Sequence, residues 1–407
     1  MSKEIWDLIV VGGGPAGMAA GIYGARSKLK TIVFEKKRTG GQAAITEELE
    51  NYPGFGQGAS GPEVMGSIRE HAEGFGVVFE KEHVIDLKLD DEIKIIRTKK
   101  GQEYYAKAVV LAPGANPRSL GIKGEKDFVG KGVSYCATCD ADFYEGLDVI
   151  VVGNGDAAIE EAIYLTKFAK KVTIIVIHDE GVLDANKGSQ EKAYANPKIH
   201  FLWNSVLNEV KGDELVEKVV VKNLKTTELT EIETSGVFFF VGYVPNTEFL
   251  KGKVELNDNG YIVVNEKMET SIPGVYAAGD ANQKFLRQVV TATSDGAIAA
   301  FAADKYLVEE KNFKMQVLDA KEPVIVAFWT PQNEESIVAV STIEQHKDKY
   351  SSTKLVRIDL HRNHLVASKY SVEQIPTVLL FNKGEFVDRI DGKFDYADIE
   401  ALIAKTD

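Results

Sequence analysis

Two short apolar runs each break into a glycine turn and resume as a helical stretch, and this repeated pattern fixes the kind of sheet the chain can build. The first is Ile5 to Val11, followed by Gly12-Gly13-Gly14-Pro15-Ala16-Gly17 and an alanine-rich helical stretch to Arg26. The second is Asp148 to Val152, followed by Gly153-Asn154-Gly155-Asp156-Ala157-Ala158 and a helical stretch to about Phe168. Both read as the opening of a βαβ unit, which belongs to an α/β fold with helices covering a mainly parallel sheet. Glycines at 12, 14 and 17 let the backbone turn tightly, approach a pyrophosphate and pack a helix on the sheet, with the helix N-terminus facing the phosphates. A purely structural glycine turn is the blander reading. It loses weight because the next run, Thr31-Ile32-Val33-Phe34, ends in Glu35, 18 residues after Gly17, where an acid can hold a ribose diol.

With 407 residues, 44% of them hydrophobic, the chain has material for two or three domains with cores of their own. Its start, Met1-Ser2-Lys3-Glu4-Ile5-Trp6-Asp7, runs straight into a strand pattern without the regions of a signal peptide, and no apolar run approaches the ~20 residues that span a bilayer. A cytoplasmic protein is expected. The formal charge of −13 argues against nucleic acid or an anionic membrane as main partner.

The chain has two cysteines, and they fall in Cys136-Ala137-Thr138-Cys139-Asp140. A structural staple is a poor reading, because so small a loop removes little chain entropy. A zinc site needs a second pair of soft ligands, which no other cysteine supplies. A redox-active dithiol is the reading that remains. Asp140, next to the second cysteine, is placed to pass a proton to or from a thiolate. Cys136 lies 17 residues before Gly153, so the dithiol is expected in the second nucleotide-type domain.

Between these landmarks, Thr39-Gly40-Gly41-Gln42 and Glu50-Asn51-Tyr52-Pro53-Gly54-Phe55 are glycine- and proline-punctuated loops. The segment to about 112 alternates in strand fashion, notably His83 to Leu89, Glu92 to Thr98 and Ala108 to Leu111. Strands around Lys218 to Asn223 and Val237 to Val241 close the second domain, and Gly242-Tyr243-Val244-Pro245-Asn246-Thr247 leaves it. Val275-Tyr276-Ala277-Ala278-Gly279-Asp280 is a strand and turn, followed by Arg287-Gln288-Val289 and an alanine-rich helix.

Taken in order, the motifs Gly12 to Gly17, Gly40-Gly41-Gln42, Asn51-Tyr52-Pro53-Gly54, Cys136 to Asp140, Gly279-Asp280 and Arg287-Gln288 resemble those of the low-molecular-weight bacterial thioredoxin reductases, over the first ~310 residues. The resemblance implies two Rossmann-like, three-layer ββα nucleotide-binding domains, the second inserted in the first. Residues 1–115 and 248–312 would form the FAD domain and 116–247 the pyridine-nucleotide-type domain with the dithiol. By the same likeness Cys139 sits nearest the flavin, Cys136 attacks the acceptor disulfide and Asp140 is the acid. FAD contacts would come from Gly12, Gly14, Pro15, Ala16, Gly17, Glu35, Gly41, Gln42, Asn51, Asp280, Arg287, Gln288 and Val289. A thioredoxin-like acceptor, a homodimer and a rotation between the domains about linkers near 113–118 and 243–248 are further implications. Two other activities fit the same motifs: a reductase of a peroxiredoxin-like protein, and a flavin and dithiol redox sensor without turnover.

The chain departs from the family after its second nucleotide strand. There the family has His-Arg-Arg and a further Arg around the 2′-phosphate of NADPH; with His178 on the family histidine, the arginine positions hold Asp179, Glu180 and Asp184. Each close like-charge pair costs about 1 kcal/mol or more, which disfavours NADPH. Two donors stay open. NADH fits the retained Gly153, Gly155 and Ala158 with Asp179 as the acid for a ribose diol. Reduced ferredoxin fits a turn that has lost its nucleotide, with Lys36-Lys37-Arg38 or Lys167, Lys170 and Lys171 as basic docks, although such charges are more often a solvated face.

From about 314 the pattern restarts: strand Val324 to Trp329, helix from Asn333, strand Lys354 to Asp359, then Ile375-Pro376-Thr377 to Phe381, a hairpin and a final helix. Residues 313–407 resemble a thioredoxin fold, with Pro376 as the cis-proline and Gly384 and Gly392 in turns. The alignment puts Asn333 and Ser336 where the redox cysteines belong and Ala327 where a buried acid belongs, so the module carries no electrons and is expected to bind or to stabilise. His361 and His364, a lone His-x-x-His pair, read as surface and not as a metal site.

Overall fold

A computed structural model describes residues 4–46, 49, 51–56, 58–350, 352–360 and 364–406. Glu50 of the proline loop and His361 of the histidine pair lie outside the described residues. In chain order the first elements are β1 (Ile5–Val11), α1 (Pro15–Arg26), β2 (Thr31–Phe34), α2 (Gly61–Gly74), β3 (Val78–Glu80), β4 (Val84–Lys88), β5 (Lys94–Thr98), β6 (Glu103–Leu111) and β7 (Ala115–Pro117). Next come β8 (Val133–Ser134), α3 (Ala137–Asp140), β9 (Asp148–Val152), α4 (Asp156–Leu165), β10 (Lys171–Ile175), α5 (Lys187–Ala195), β11 (Ile199–Leu202), β12 (Ser205–Gly212), β13 (Val216–Asn223), β14 (Leu229–Glu233) and β15 (Gly236–Phe239). They are followed by β16 (Tyr243–Pro245), β17 (Val275–Ala277) and α6 (Val289–Phe313). The last are β18 (Val324–Trp329), α7 (Glu334–Gln345), β19 (Lys354–Asp359), α8 (His364–Lys369), β20 (Thr377–Asn382), β21 (Glu385–Asp391) and α9 (Tyr396–Ile403). The chain forms two compact units, Met1–Ser271 with Tyr276–Ala299 and Ile272–Val275 with Ala300–Asp407.

In the first unit one sheet has the order β3-β2-β1-β6-β5-β4, with β17 on β6. Its strands β3, β2, β1 and β6 are parallel, and Val10 lies beside Val33 on one side and Val110 on the other. A strand covered on both faces needs a continuous apolar run, which is why β1 reads as one. The stretch expected to alternate up to 112 instead contains α2, whose N-cap Ser60 accepts the Glu63 N–H at 3.3 Å. Glycines at 61, 66 and 74 mask its helical pattern, while Ser60-x-x-Glu63 is the capping signal that marks its start.

A second sheet, entirely parallel, has the order β11-β10-β9-β15-β8. One face packs on α4 through Ala158, Ala162 and Leu165. The other face packs on a separate antiparallel sheet, β12-β13-β14, through Leu207, Val210, Val219 and Val221. This is the three-layer ββα arrangement. Residues 218–223 thus form a strand as expected, but in the antiparallel layer, and only β15 closes the parallel one. The two connections between the sheets, β7 and β16, pair antiparallel as a ribbon with Asn116 opposite Val244.

The second unit contains the sheet β19-β18-β20-β21, with apolar clusters on both faces. The Ile375–Pro376 bond is cis, and Gly384 and Gly392 occupy turns with φ of 81° and 82°. Asn333 caps α7, its side chain accepting the Ser336 N–H at 2.7 Å. Among the described residues no helix is long and apolar enough to cross a membrane, and no group of three or more His, Cys, Asp or Glu is placed to hold a metal.

Candidate functional site

The first glycine turn is built by close backbone approach. Gly12 has φ of 111°, and a Cβ there would lie 2.0 Å from the Ala112 carbonyl oxygen; one at Gly17 would lie 1.8 Å from that of Gly12. Gly14 differs: a Cβ at this position meets nothing nearer than 3.9 Å, so its backbone faces open space at the uncapped N-terminus of α1, with Pro15 in the first turn. Free N–H groups at such an end attract phosphate. Glu35, just after β2, accepts the N–H of Gly13 and of Lys37, each at 2.9 Å, which fixes its carboxylate against the turn.

At the other edge of the same sheet the Oδ1 of Asp280 is buried without a hydrogen-bond partner. Burial raises its carboxyl above the usual range, although the Lys284 and Arg287 cations oppose the rise. Arg287 stacks its guanidinium over the Tyr261 ring at 4.5 Å and reaches Tyr243 at 5.8 Å. Lys284 is held in turn by Asp295 at 2.6 Å, and Asp295 also accepts the Gly279 N–H at 3.0 Å. An open glycine backbone, an acid fixed beyond it and an orphaned buried carboxyl oxygen suit a long ligand with phosphate and hydroxyl groups, and FAD fits that set.

Cys136 and Cys139 form a disulfide, with Cys136 as N-cap of α3 and Cys139 on its first turn. One side chain from outside the dithiol domain reaches the helix directly, and a second braces it. Gln288, directly before α6, donates from Nε2 to the Thr138 hydroxyl at 3.1 Å and lies 3.9 Å from the Cys136 sulfur. Its Oε1 accepts from Asn51 at 3.1 Å. Cys139 instead lines a cavity of about 280 Å³ whose wall includes Leu49 and Asn51 from the first sheet's loops and Thr138, Tyr164 and Phe168 from the second. Gln42 donates to Asn116 of the β7 ribbon at 2.7 Å, and Asn116 donates to Asn246 at 2.8 Å. Motif residues that lie far apart in the chain, 51, 136–139 and 288, therefore meet around one helix turn, while Gln42 is tied to the β7/β16 ribbon.

Asp140 accepts a hydrogen bond from Ser134 at 2.5 Å. Tyr144 below it is pushed up to about 12, by burial and by the Asp140 charge. Ser134 was not legible as a site residue: nothing in its local sequence announces that its hydroxyl reaches Asp140. The same holds for Tyr243, which donates to the Tyr135 carbonyl at 3.2 Å beside the dithiol, and for Glu161 on α4, whose Oε2 is buried without a partner.

The second glycine turn keeps its shape, with Gly153 at φ of 131° and Ala158 fully buried under the sheet. Its surroundings are acidic. The Asp184 carboxylate accepts from the Asn154 side chain and from His178, both at 3.1 Å, and its N–H donates to the Asn154 carbonyl at 3.1 Å. Asp156 in the first turn of α4 accepts the N–H and side-chain amide of Asn186 at 2.6 and 2.8 Å. Asp179, four residues past the strand end it was expected to follow, is exposed and paired with Lys225. Gly155 stays open.

Two family models match the chain. One described as pyridine nucleotide-disulphide oxidoreductase covers residues 6–296, and one described as thioredoxin covers 304–405. A thioredoxin reductase of Peptoclostridium acidaminophilum is 51% identical over 318 residues, 77% of this chain and 99% of that one. A bifunctional thioredoxin reductase/thioredoxin of Mycobacterium leprae is 35% identical over 433 residues, 96% of this chain and 94% of that one. Among solved structures, a thioredoxin reductase of Streptococcus pyogenes superposes with a TM-score of 0.71 at 42% identity, over 75% of this chain and 99% of that one.

Proposed function

Because this chain belongs to the thioredoxin reductase family, with a thioredoxin domain at its C-terminus, we propose that it reduces a thioredoxin-like protein disulfide through Cys136 and Cys139, with FAD as resident cofactor and reduced ferredoxin as donor. The observation that carries the dithiol reading is the bond of Gln288 to the disulfide-bearing helix, braced by Asn51, together with the cavity that Asn51 shares with Cys139. Residues 1–115 and 248–312 hold the cofactor and 116–247 hold the dithiol. Gly12, Gly14, Pro15, Ala16 and Gly17 would hold the phosphates of FAD, Glu35 a ribose diol, and Asp280 a further hydroxyl of the cofactor. Gly41, Gln42, Asn51, Arg287, Gln288 and Val289 would supply the remaining contacts. FAD, when bound, collects electrons from the donor and supplies them as a pair to the disulfide. Cys136, as thiolate, then attacks the acceptor disulfide, and Cys139 resolves the mixed disulfide by attack on the Cys136 sulfur. Asp140 carries the proton between the enzyme thiol and the leaving sulfur.

The Asp184 carboxylate supports ferredoxin over NADH. Bound to Asn154 of the turn, it puts a negative charge beside the place where a dinucleotide pyrophosphate would lie. Asp179, the acid that NADH would need for its ribose, is already paired with Lys225. Lys167, from the basic patch, sits with its ammonium 4.7 Å over the Tyr164 ring, and Tyr164 lines the Cys139 cavity, which gives an acidic iron–sulfur protein a cation close to the redox centre. A homodimer is part of the same proposal.

Anaerobic flavin absorbance after separate addition of NADH, NADPH and reduced ferredoxin tests the donor. Ferredoxin is expected to bleach the flavin, and neither nucleotide to do so within the same time. Bleaching by NADPH would contradict the reading of Asp179, Glu180 and Asp184, and bleaching by NADH alone would move the donor to that nucleotide.

A further inference from the structure

Ser134 is the last residue of β8, six positions before Asp140, and 5% exposed. Its hydroxyl has one hydrogen and two lone pairs. The hydrogen goes to the Asp140 carboxylate at 2.5 Å, the shorter of its two acceptor contacts. A lone pair accepts the Cys136 N–H at 3.1 Å, the local bond a serine makes to a backbone two residues on. The Cys136 carbonyl oxygen lies 3.3 Å from the same hydroxyl. One hydroxyl thus spans the two ends of the redox pentad. It touches the backbone of the attacking cysteine and the side chain of the proton carrier, and it stands on a strand rather than on the helix that carries either of them. A four-residue helix such as α3 has too few internal bonds to hold its own ends in register.

We infer that Ser134 is the positioning residue of the exchange step, holding Asp140 and Cys136 in the geometry through which the proton passes. The inference rests on the reading of Asp140 as proton carrier. In the step it serves, the Cys136 sulfur forms a bond to one acceptor sulfur while the acceptor S–S bond breaks, and Asp140 delivers the proton taken from the enzyme thiol to the departing acceptor sulfur. Cys139 then gives its proton to water and bonds to the Cys136 sulfur as the Cys136–acceptor bond breaks, and the second acceptor sulfur takes a proton back from water. The acceptor gains two electrons and two protons, and the enzyme dithiol loses them.

A double-mutant cycle tests this on the full-length, flavin-loaded chain. Enzyme pre-reduced with dithionite, excess removed, is mixed with oxidised bacterial thioredoxin, and the single-turnover rate of thiol oxidation is read. Ser134→Ala is expected to be about tenfold slower, the scale of one lost charge-assisted hydrogen bond, with flavin absorbance and melting temperature as in the native chain. Ser134→Thr, which keeps the hydroxyl, should recover most of the rate. The deciding arm is Ser134→Ala combined with Asp140→Asn, which should be no slower than Asp140→Asn alone, because without the carboxylate there is no proton path whose two ends Ser134 could hold in register. A double variant slower by the full tenfold overturns the inference and leaves the reading of Asp140 intact. An Asp140→Asn rate equal to the native one overturns that reading, and the inference with it.

Discussion

Buried polar atoms without partners single out residues whose chemistry the fold has left open, and Glu161 is the plainest after Asp280. Its Oε2 is shut away on α4 with no hydrogen-bond partner. Burial, helped by the neighbouring Glu160, raises its carboxyl above the usual range. A carboxyl raised in the folded state favours folding while it holds its proton and loses that contribution as pH climbs through the folded value. Glu161→Gln keeps the shape without the charge. It is expected to match the native chain in melting temperature near pH 4 and to exceed it by roughly 2 °C near pH 8, as relief of an unpaired buried charge predicts. A gap that does not widen between the two pH values would show that the group is already solvated when ionised.

At the scale of elements, the loop that follows β7 is tied through one acid to Tyr135, the residue before the dithiol. Glu125, fully buried, accepts the N–H groups of Leu120, Gly121 and Ile122 at 3.2, 2.8 and 3.2 Å and the Tyr135 hydroxyl at 2.8 Å. Burial alone would raise its carboxyl, but the bonds from Tyr135, Ser119 and the backbone outweigh it, and the net shift is downward. Burial and Glu125 together also push Tyr135 upward. A depressed carboxyl contributes stability above its unfolded value and loses it as pH falls through the folded one. Glu125→Gln should therefore cost about 3 kcal/mol at pH 7 in urea unfolding and much less near pH 3.5, since it disrupts several charge-assisted bonds to one buried carboxylate. Equal losses at both pH values would mean that the charge is not what the loop is built on. Glu125 also marks the limit of what could be read beforehand. Strands β1, β2 and β18 and both glycine turns were legible, because a strand buried on two faces and a turn of positive φ each demand particular residue types locally. Helix α2 was obscured by its glycines. The contacts of Glu125, Ser134, Tyr243 and Asn116 were not legible, because each pairs residues through the tertiary fold without any local pattern. At the second turn the resemblance implied that Asp179, Glu180 and Asp184 stand at the family's arginine positions, but that Asp184 turns back onto Asn154 is a property of the loop's path.

For the molecule as a whole, the same local device appears in both compact units, once with sulfur and once without. In the first unit Cys136 is the N-cap of α3 and Cys139 stands three residues on, with Cα atoms 5.3 Å apart. In the second, Asn333 is the N-cap of α7 and Ser336 stands three residues on, buried, its hydroxyl donating to the Thr330 carbonyl at 3.1 Å and accepting the Thr330 N–H at 3.1 Å. An N-cap and the residue three positions later lie within disulfide reach, and the cap position lowers a thiol's pKa through the helix N-terminus. The module therefore keeps the helix-cap frame of a redox site and lacks its sulfur and, with Ala327, the buried acid, so a disulfide should be restorable there by substitution. The combination Asn333→Cys and Ser336→Cys is expected to give four titratable thiols after full reduction, the two native cysteines plus the two introduced, against two in the native chain. Air oxidation should return all of them to disulfides, while the fold, followed by its melting temperature, should lose no more than about 2 kcal/mol for the exchanged cap and buried hydroxyl. With donor and flavin in place, the restored pair should then be reduced only when Cys136 and Cys139 are intact, which double serine replacement at 136 and 139 checks directly. Two introduced thiols that stay free in air would place positions 333 and 336 too far apart for a disulfide and would count against the module as a thioredoxin site with its cysteines exchanged.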